Sequence, residues 1–169
     1  LRTRNVRGIL IPPHSSGLHL PGFDWSEFAL VRFGTSVATP RAHIVTSDQV
    51  NCASMAFERV WERGYRRIGY ITSVNFEKNT GGNFRAGYLR AQDHHLKPRQ
   101  HLSPVFLKGE SLADNAKALR SWLRKAKPDA VVATYGSLKR LLDDLGCRVP
   151  TDLAVATLSV LDGHFVLSR

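Results

Sequence analysis

The chain reads as an α/β protein organised around doubly wound parallel sheet, and three observations predict it. Short aliphatic segments alternate with amphipathic ones along nearly the whole length, the order that stacks helices on parallel strands. Several aliphatic segments, Ala130–Thr134 and Leu153–Leu158 among them, have the largely apolar make-up of buried strands. Residues His43–Thr72 run as strand, capped helix, glycine stop, basic turn and second strand, a unit expected to lay two strands parallel in one sheet with a right-handed crossover. Ligands of such sheets are expected outside the carboxyl ends of the strands.

Each element has a local reason. Gly8–Ile11 is a short strand stopped by Pro12-Pro13, and Phe28–Phe33 is a second, ending at Gly34. Asp24-Trp25-Ser26-Glu27 between them reads as a brief helical turn. A strand at His43–Thr46 precedes a helix over Gln49–Arg63, in which Ala53, Ala56, Phe57, Val60 and Trp61 share one face. Ser47 or Asp48 can cap its start and Gly64 its end. Ile68–Thr72 is a strand, Ser73–Asn83 with its Gly81-Gly82 pair a mobile loop, and Phe84–Leu96 a helix. Val105–Leu107 is a strand. A helix beginning at Ser111, with Asp114 in a capping-box-like position, buries Leu112, Ala116, Leu119, Leu123 and Ala126. Ala130–Thr134 is a strand, Leu138, Leu141, Leu142 and Leu145 mark a short helix closed by Gly146, and Leu153–Leu158 is the last strand.

Composition bounds the class. The 169 residues, 43% hydrophobic and 22% charged, can bury a core as one large domain or two small lobes. The uncharged stretches Gly8–Phe23 and Leu153–Leu161 are too short to cross a bilayer, so no membrane span is expected. Cys52 and Cys147 lack a pairing motif and read as free thiols of a reducing cytoplasm. The net charge of +10 invites a nucleic-acid reading. Its distribution argues for solvated helix surface instead, because the Lys and Arg residues are scattered and no aromatic-interleaved or zinc-finger pattern accompanies them. Such an excess could still raise the positive potential around a tethered DNA-binding neighbour.

Catalytic and metal chemistry find no foothold. The sequence has no glycine-rich phosphate loop, no nucleophile elbow and no His-Glu-x-x-His pair. His94 and His95 are adjacent, so on a helix they diverge by about 100° and share an ion poorly. Asp143-Asp144 reads as solvated helix surface. Neither a cofactor nor a metal is expected, and no general acid and base can be nominated.

Five ordered segments carry a resemblance. They are Arg7-Gly8-Ile9-Leu10-Ile11-Pro12; His43-Ile44-Val45-Thr46-Ser47-Asp48 with Gly64-Tyr65-Arg66-Arg67-Ile68-Gly69; Arg32-Phe33-Gly34; Pro128-Asp129-Ala130-Val131-Val132-Ala133; and Leu145 through Val155, which contains Val149-Pro150-Thr151-Asp152-Leu153. Together they resemble the effector-binding core of LacI/GalR-type transcription regulators over nearly all of the chain. The resemblance implies a periplasmic-binding-protein-like fold of type I: two Rossmann-like lobes with parallel sheets and a small effector in the cleft. It implies that the chain is incomplete at both ends, with residues 1–66 in the N-terminal lobe, 67–158 forming the C-terminal lobe and 159–169 opening the return crossover. It further implies operator DNA as a partner through a headpiece absent from this chain, a homodimer, and a cytoplasmic location. A substrate-binding protein of an uptake system on the same fold is the alternative, and an enzyme is not expected.

Where the chain departs from the family pattern, it speaks about the ligand. Sugar- and purine-binding members typically place an Asp on the strand where this chain has Arg32. Where members have an Arg three residues before the helix glycine, this chain has Phe84 before Gly87, with Arg85 displaced by one. Ser159 stands where an Asp closes the last strand. Losing paired Asp acceptors disfavours an ordinary hexose, and Arg32 favours an anionic or acceptor-rich ligand such as a sugar acid. A salt bridge at the lobe interface is the competing role for Arg32. Phe33, Phe84 and Tyr135 are candidate stacking faces, though an aromatic at a strand end more often belongs to the core. His14, just after Pro12-Pro13, is a cleft candidate or loop surface. The candidate effector-binding set is therefore His14, Arg32, Phe33, Phe84, Arg85, Tyr135 and Ser159.

Overall fold

A computed structural model describes residues 4–13, 18, 20–108 and 112–158. The chain forms two compact units, one of residues 1–48 with 78–81 and one of residues 49–77 with 82–169. Each carries its own all-parallel sheet.

The first unit is a three-stranded sheet in the order β1-β2-β3, with β1 at Gly8–Ile11, β2 at Ala29–Phe33 and β3 at His43–Val45. Registers are fixed by Ile11 opposite Arg32 and by Arg32 opposite Ile44. The turn before β2 is a 3-10 helix over Trp25–Glu27, closed by the Asp24 carboxylate, which accepts from the Ser26 amide at 3.0 Å and hydroxyl at 2.6 Å. An Asp capping the first free amide is the usual solution for a helical start.

The second unit begins with helix α1, Gln49–Glu62, and strand β4, Ile68–Ser73. Helices α2, Val74–Asn79, and α3, Asn83–His95, lead to β5, Val105–Leu107. Then follow α4, Leu112–Ala126, β6, Ala130–Ala133, α5, Leu138–Asp144, and β7, Ala154–Thr157. The strand order is β5-β4-β6-β7. Strand periodicity splits the core into two layers. Ile68, Tyr70, Ala130 and Val132 pack with Phe57, Val60, Phe84, Tyr88 and Ala91 of α1 and α3. Ile71, Val131 and Ala133 face the other way, onto Leu119 of α4 and Leu138, Leu141 and Leu142 of α5.

The basic turn before β4 is a structural device. The Asp129 carboxylate accepts from the amides of Arg66 at 2.9 Å and Arg67 at 3.0 Å, which aligns the starts of β4 and β6. The Arg67 guanidinium donates to the Lys127 carbonyl at 2.9 Å and to the Ala126 carbonyl, capping the end of α4. Arg66 donates to the Trp61 and Tyr65 carbonyls and lies 4.2 Å from the Trp61 ring centroid. Part of the positive charge thus satisfies helix-end carbonyls.

The expected alternation and both glycine stops are present, with element ends displaced by a residue or so. The expectation that the strands at His43 and Ile68 share one sheet is a correction: β3 pairs with β2 in the three-stranded sheet and β4 with β5 and β6 in the four-stranded one, because the chain passes from one unit to the other between them. The mobile loop expected over Ser73–Asn83 is a correction: most of it is α2. The Ser73 hydroxyl accepts from the Phe76 amide at 3.1 Å and so starts the helix, an N-cap that the glycine pair downstream obscures. Gly81 and Gly82, at φ of 60° and 76°, turn the chain from α2 into α3 in a conformation other residues rarely adopt. The start of α4 at Ser111 lies outside the described residues.

Candidate functional site

In the second unit the connection from β4 runs to one side of the sheet, to β5, while that from β6 runs to the other, to β7. The neighbouring carboxyl ends of β4 and β6 are therefore a topological switch point, the place where ligands of such sheets are expected. The groups there are hydroxyls and amides. The Thr134 hydroxyl donates to the Thr72 hydroxyl at 2.7 Å, and both residues are buried. Tyr135 follows, half-buried, its hydroxyl accepting from the Asn115 side-chain amide at 3.1 Å. Asn115 is 1% exposed and is itself held by the Lys108 amide, which donates to its carbonyl oxygen at 2.9 Å. The phenol is thus aimed by a buried amide rather than by packing alone. Beneath this layer, burial pushes the Tyr70 hydroxyl up to about 12, and the hydroxyls of Thr134 and Thr72 pull it partly back.

Arg85, on the first turn of α3, donates from Nε to Glu77 Oε1 of α2 at 2.5 Å, and its guanidinium carbon lies 6.0 Å from the Phe106 ring centroid. The pair sits over Gly82, where a Cβ would meet both partners at 3.2 Å. Arg85 remains half-exposed. Phe84 points the other way. It is 8% exposed, belongs to the core and packs on Phe76 with centroids 5.6 Å apart.

In the first unit Arg32 and Phe33 close β2 at its carboxyl end. Phe33 is exposed. Arg32 is half-buried, and its Nε and Nη1 are shielded from solvent with no hydrogen-bond partner among the described residues. At the opposite, amino end of β2 and β3, a hollow of about 540 Å3 is lined by Trp25, Phe28, Pro40, Arg41 and His43, none of which the sequence singles out. His14 and Ser159 lie outside the described residues.

The structure thus collects Tyr135 with Thr72, Thr134 and Asn115 in one unit, beside the Arg85–Glu77 pair, and Arg32 with Phe33 in the other. Asn115 had a signal: it is a polar residue on the buried face of the α4 stripe, and such a position calls for a partner. Thr72 and Thr134 had only their place at strand ends. Cys52 and Cys147 are free. Among the described residues, no three His, Cys, Asp or Glu side chains converge as a metal site, and no helix is long and apolar enough to cross a membrane.

Two all-parallel sheets, flanked by helices in the second unit, define an α/β protein. Residues 57–164 match the periplasmic binding protein-like domain, and the chain belongs to that family. Solved structures agree. The transcription regulator CelR in complex with cellobiose is 25% identical with a TM-score of 0.62, over 90% of this chain and 48% of that one. A LacI-family transcription regulator from a Rhodococcus species is 22% identical with a TM-score of 0.62, over 91% and 58%. A sugar-binding LacI-family regulator from Escherichia coli, complexed with phosphate, is 20% identical with a TM-score of 0.57, over 76% and 48%. The chain thus spans about half the length of these proteins and has the fold of the LacI-family effector-binding core. No curated protein sequence matches it.

Proposed function

We propose that the chain is the ligand-sensing and dimerisation core of a bacterial LacI/GalR-like transcription regulator. Its strands are carried by residues 1–66 and 67–158, with 159–169 opening the return crossover. A small metabolite, a sugar, sugar acid or relative, binds at the carboxyl ends of the strands and is released unchanged. A DNA-binding headpiece outside this chain reads the operator, the protein works as a homodimer in the cytoplasm, and it catalyses no reaction. Effector binding changes DNA affinity because the effector prefers one conformation of the core.

The observation that carries this reading is the character of the switch point. Two hydrogen-bonded pairs, Thr72 with Thr134, both buried, and Asn115 with the half-buried Tyr135, are suited to recognising a polar ligand and lack a nucleophile paired with a base. Family membership supports it. So do the similar proteins solved with cellobiose and with phosphate.

The test is DNA capture by the full-length protein. Genomic fragments sharing one sequence should be retained, and a metabolite that raises the melting temperature should release them. Failure to retain any specific DNA overturns the regulator reading. A secretory leader ahead of Leu1 would favour the uptake-system alternative, which the family's periplasmic relationship keeps in view.

A further inference from the structure

We infer that Arg32 is an anion-reading residue and that the effector carries an oxyanion, a carboxylate or a phosphate, on a hydroxylated small molecule. The inference rests on the sensor reading above and narrows its ligand class.

Three observations lead there. Arg32 occupies the penultimate position of β2, the central strand of its sheet, at the carboxyl end where ligands of parallel sheets bind. Its register neighbours on the same sheet face are apolar, Ile11 on one side and Ile44 on the other, and Leu30 lies two residues back on that face. Ile11 is 1% exposed and Leu30 8%, whereas Ile44 is 45% exposed, so the Arg32 stem is flanked by buried aliphatic side chains on the β1 side and by an open one on the β3 side. Two of its donors, Nε and Nη1, are nevertheless buried without a hydrogen-bond partner, and no carboxylate of the described residues forms an ion pair with it.

A guanidinium cannot shed its proton to escape this position. Buried donors left unmade cost more than an ordinary hydrogen bond returns, so natural proteins rarely retain them without a use. The elements beside Arg32 offer aliphatic side chains. An oxyanion from solution supplies what is missing: lone pairs for the two donors and a negative charge. A neutral sugar supplies only weaker acceptors and leaves the charge uncompensated. Arg85 contrasts with it, since its Nε is already held by Glu77.

The test compares matched ligands on the full-length protein by thermal shift and calorimetry. The probes are D-glucose, D-gluconate and D-glucose 6-phosphate, with D-galactose, D-galacturonate and D-galactose 6-phosphate as a second series. At least one charged member should raise the melting temperature while its neutral parent does not, and whether a carboxylate or a phosphate responds identifies the source of the oxyanion. Arg32→Gln should weaken that binding by about tenfold or more, and Arg32→Lys by less. Without ligand, Arg32→Gln should melt no lower than the parent, because it removes a half-buried cation whose buried donors Nε and Nη1 lack partners among the described residues. The inference is overturned if a neutral sugar binds as well as its acid, if no acid binds, if Arg32→Gln binds the acid unchanged, or if that variant alone unfolds early. DNA capture reads the sensor function separately: a protein that releases its DNA with a neutral sugar loses the anion inference and keeps the regulator reading.

Discussion

Helices α1 and α3 meet at a contact only glycine permits, which makes Gly87→Ala a demanding test of the packing. A Cβ built on Gly87 lies 2.0 Å from the Val50 carbonyl oxygen, 2.9 Å from its carbon and 3.0 Å from the Ala53 Cβ. Ordinary contact starts at 3.4 Å, so the helices must separate by about 1.4 Å, and the obstacle is backbone that no rotamer change removes. The same shift breaks the hydrogen bond from the Ser54 hydroxyl to the Gly87 carbonyl, 2.9 Å long and buried, and loosens Phe57 against Tyr88, centroids 5.9 Å apart. Overpacking of this kind costs about 1–3 kcal/mol and a lost buried hydrogen bond about 1 kcal/mol more. Alanine's better helix propensity returns about 1 kcal/mol. The net expectation is destabilisation of about 1–3 kcal/mol, read as a lower urea midpoint at unchanged slope. Ala86→Gly, at an exposed site on the same helix, should lose about 1 kcal/mol through propensity alone. A Gly87→Ala protein as stable as its parent, or more so, would refute the close approach of α1 and α3.

Three other outcomes follow from the same coordinates. Asn115→Leu should destabilise by about 1–3 kcal/mol in urea melts and weaken effector binding, because it strands the Lys108 amide and frees the Tyr135 hydroxyl from its buried partner; unchanged binding would remove Tyr135 from the site. Burial raises Tyr70 from 10.0 to about 12, so the unfolded chain loses its phenolic proton first; this stabilising contribution is complete below pH 10 and fades as pH climbs toward 12. The loss amounts to roughly 3 kcal/mol at most, Tyr88 is pushed in the same direction by its own burial, and urea midpoints at pH 9 and 11.5 should show a decline that Tyr70→Phe makes shallower. The Arg148 side chain and amide beside Asp152 hold its carboxyl down from 3.8 to about 2, so an NMR titration of Asp152 should move back toward 3.8 in Arg148→Ala.

Charge shows how a correct composition can mislead. A net charge of +10 suggests nucleic acid, yet Arg66 and Arg67 are spent on helix-end carbonyls and an indole face. Arg59 pairs with Glu62, and Lys139 with Asp143, on exposed helix faces. Such exposed pairs contribute little to stability.

The sequence by itself determined the elements other than α2, because each depends on neighbours a few residues away. An aliphatic run made β6 and a short stretch of Ile, Tyr and Thr made β4, helical spacing of Phe57, Val60 and Trp61 made α1, and Gly64 and Gly146 ended their helices at positive φ. Motif order was also legible, and it pointed to the family that residues 57–164 match. Pairing across distance was not legible. Periodicity cannot say which strands share a sheet, so the division into sheets of three and four strands needed the tertiary structure. The same holds for single side chains. By sequence Phe84 is a candidate to stack on a ligand with the core as its commoner role, and its contact with Phe76 of α2 places it in the core. Asn115 aims Tyr135 from twenty residues away. Arg32 lies among Ile11 and Ile44 because two strands distant in sequence flank it, and only that three-dimensional arrangement leaves its donors buried without partners among the described residues. Local propensity acts through the backbone within a turn or a strand, whereas burial and hydrogen-bond satisfaction are set by what the fold brings alongside.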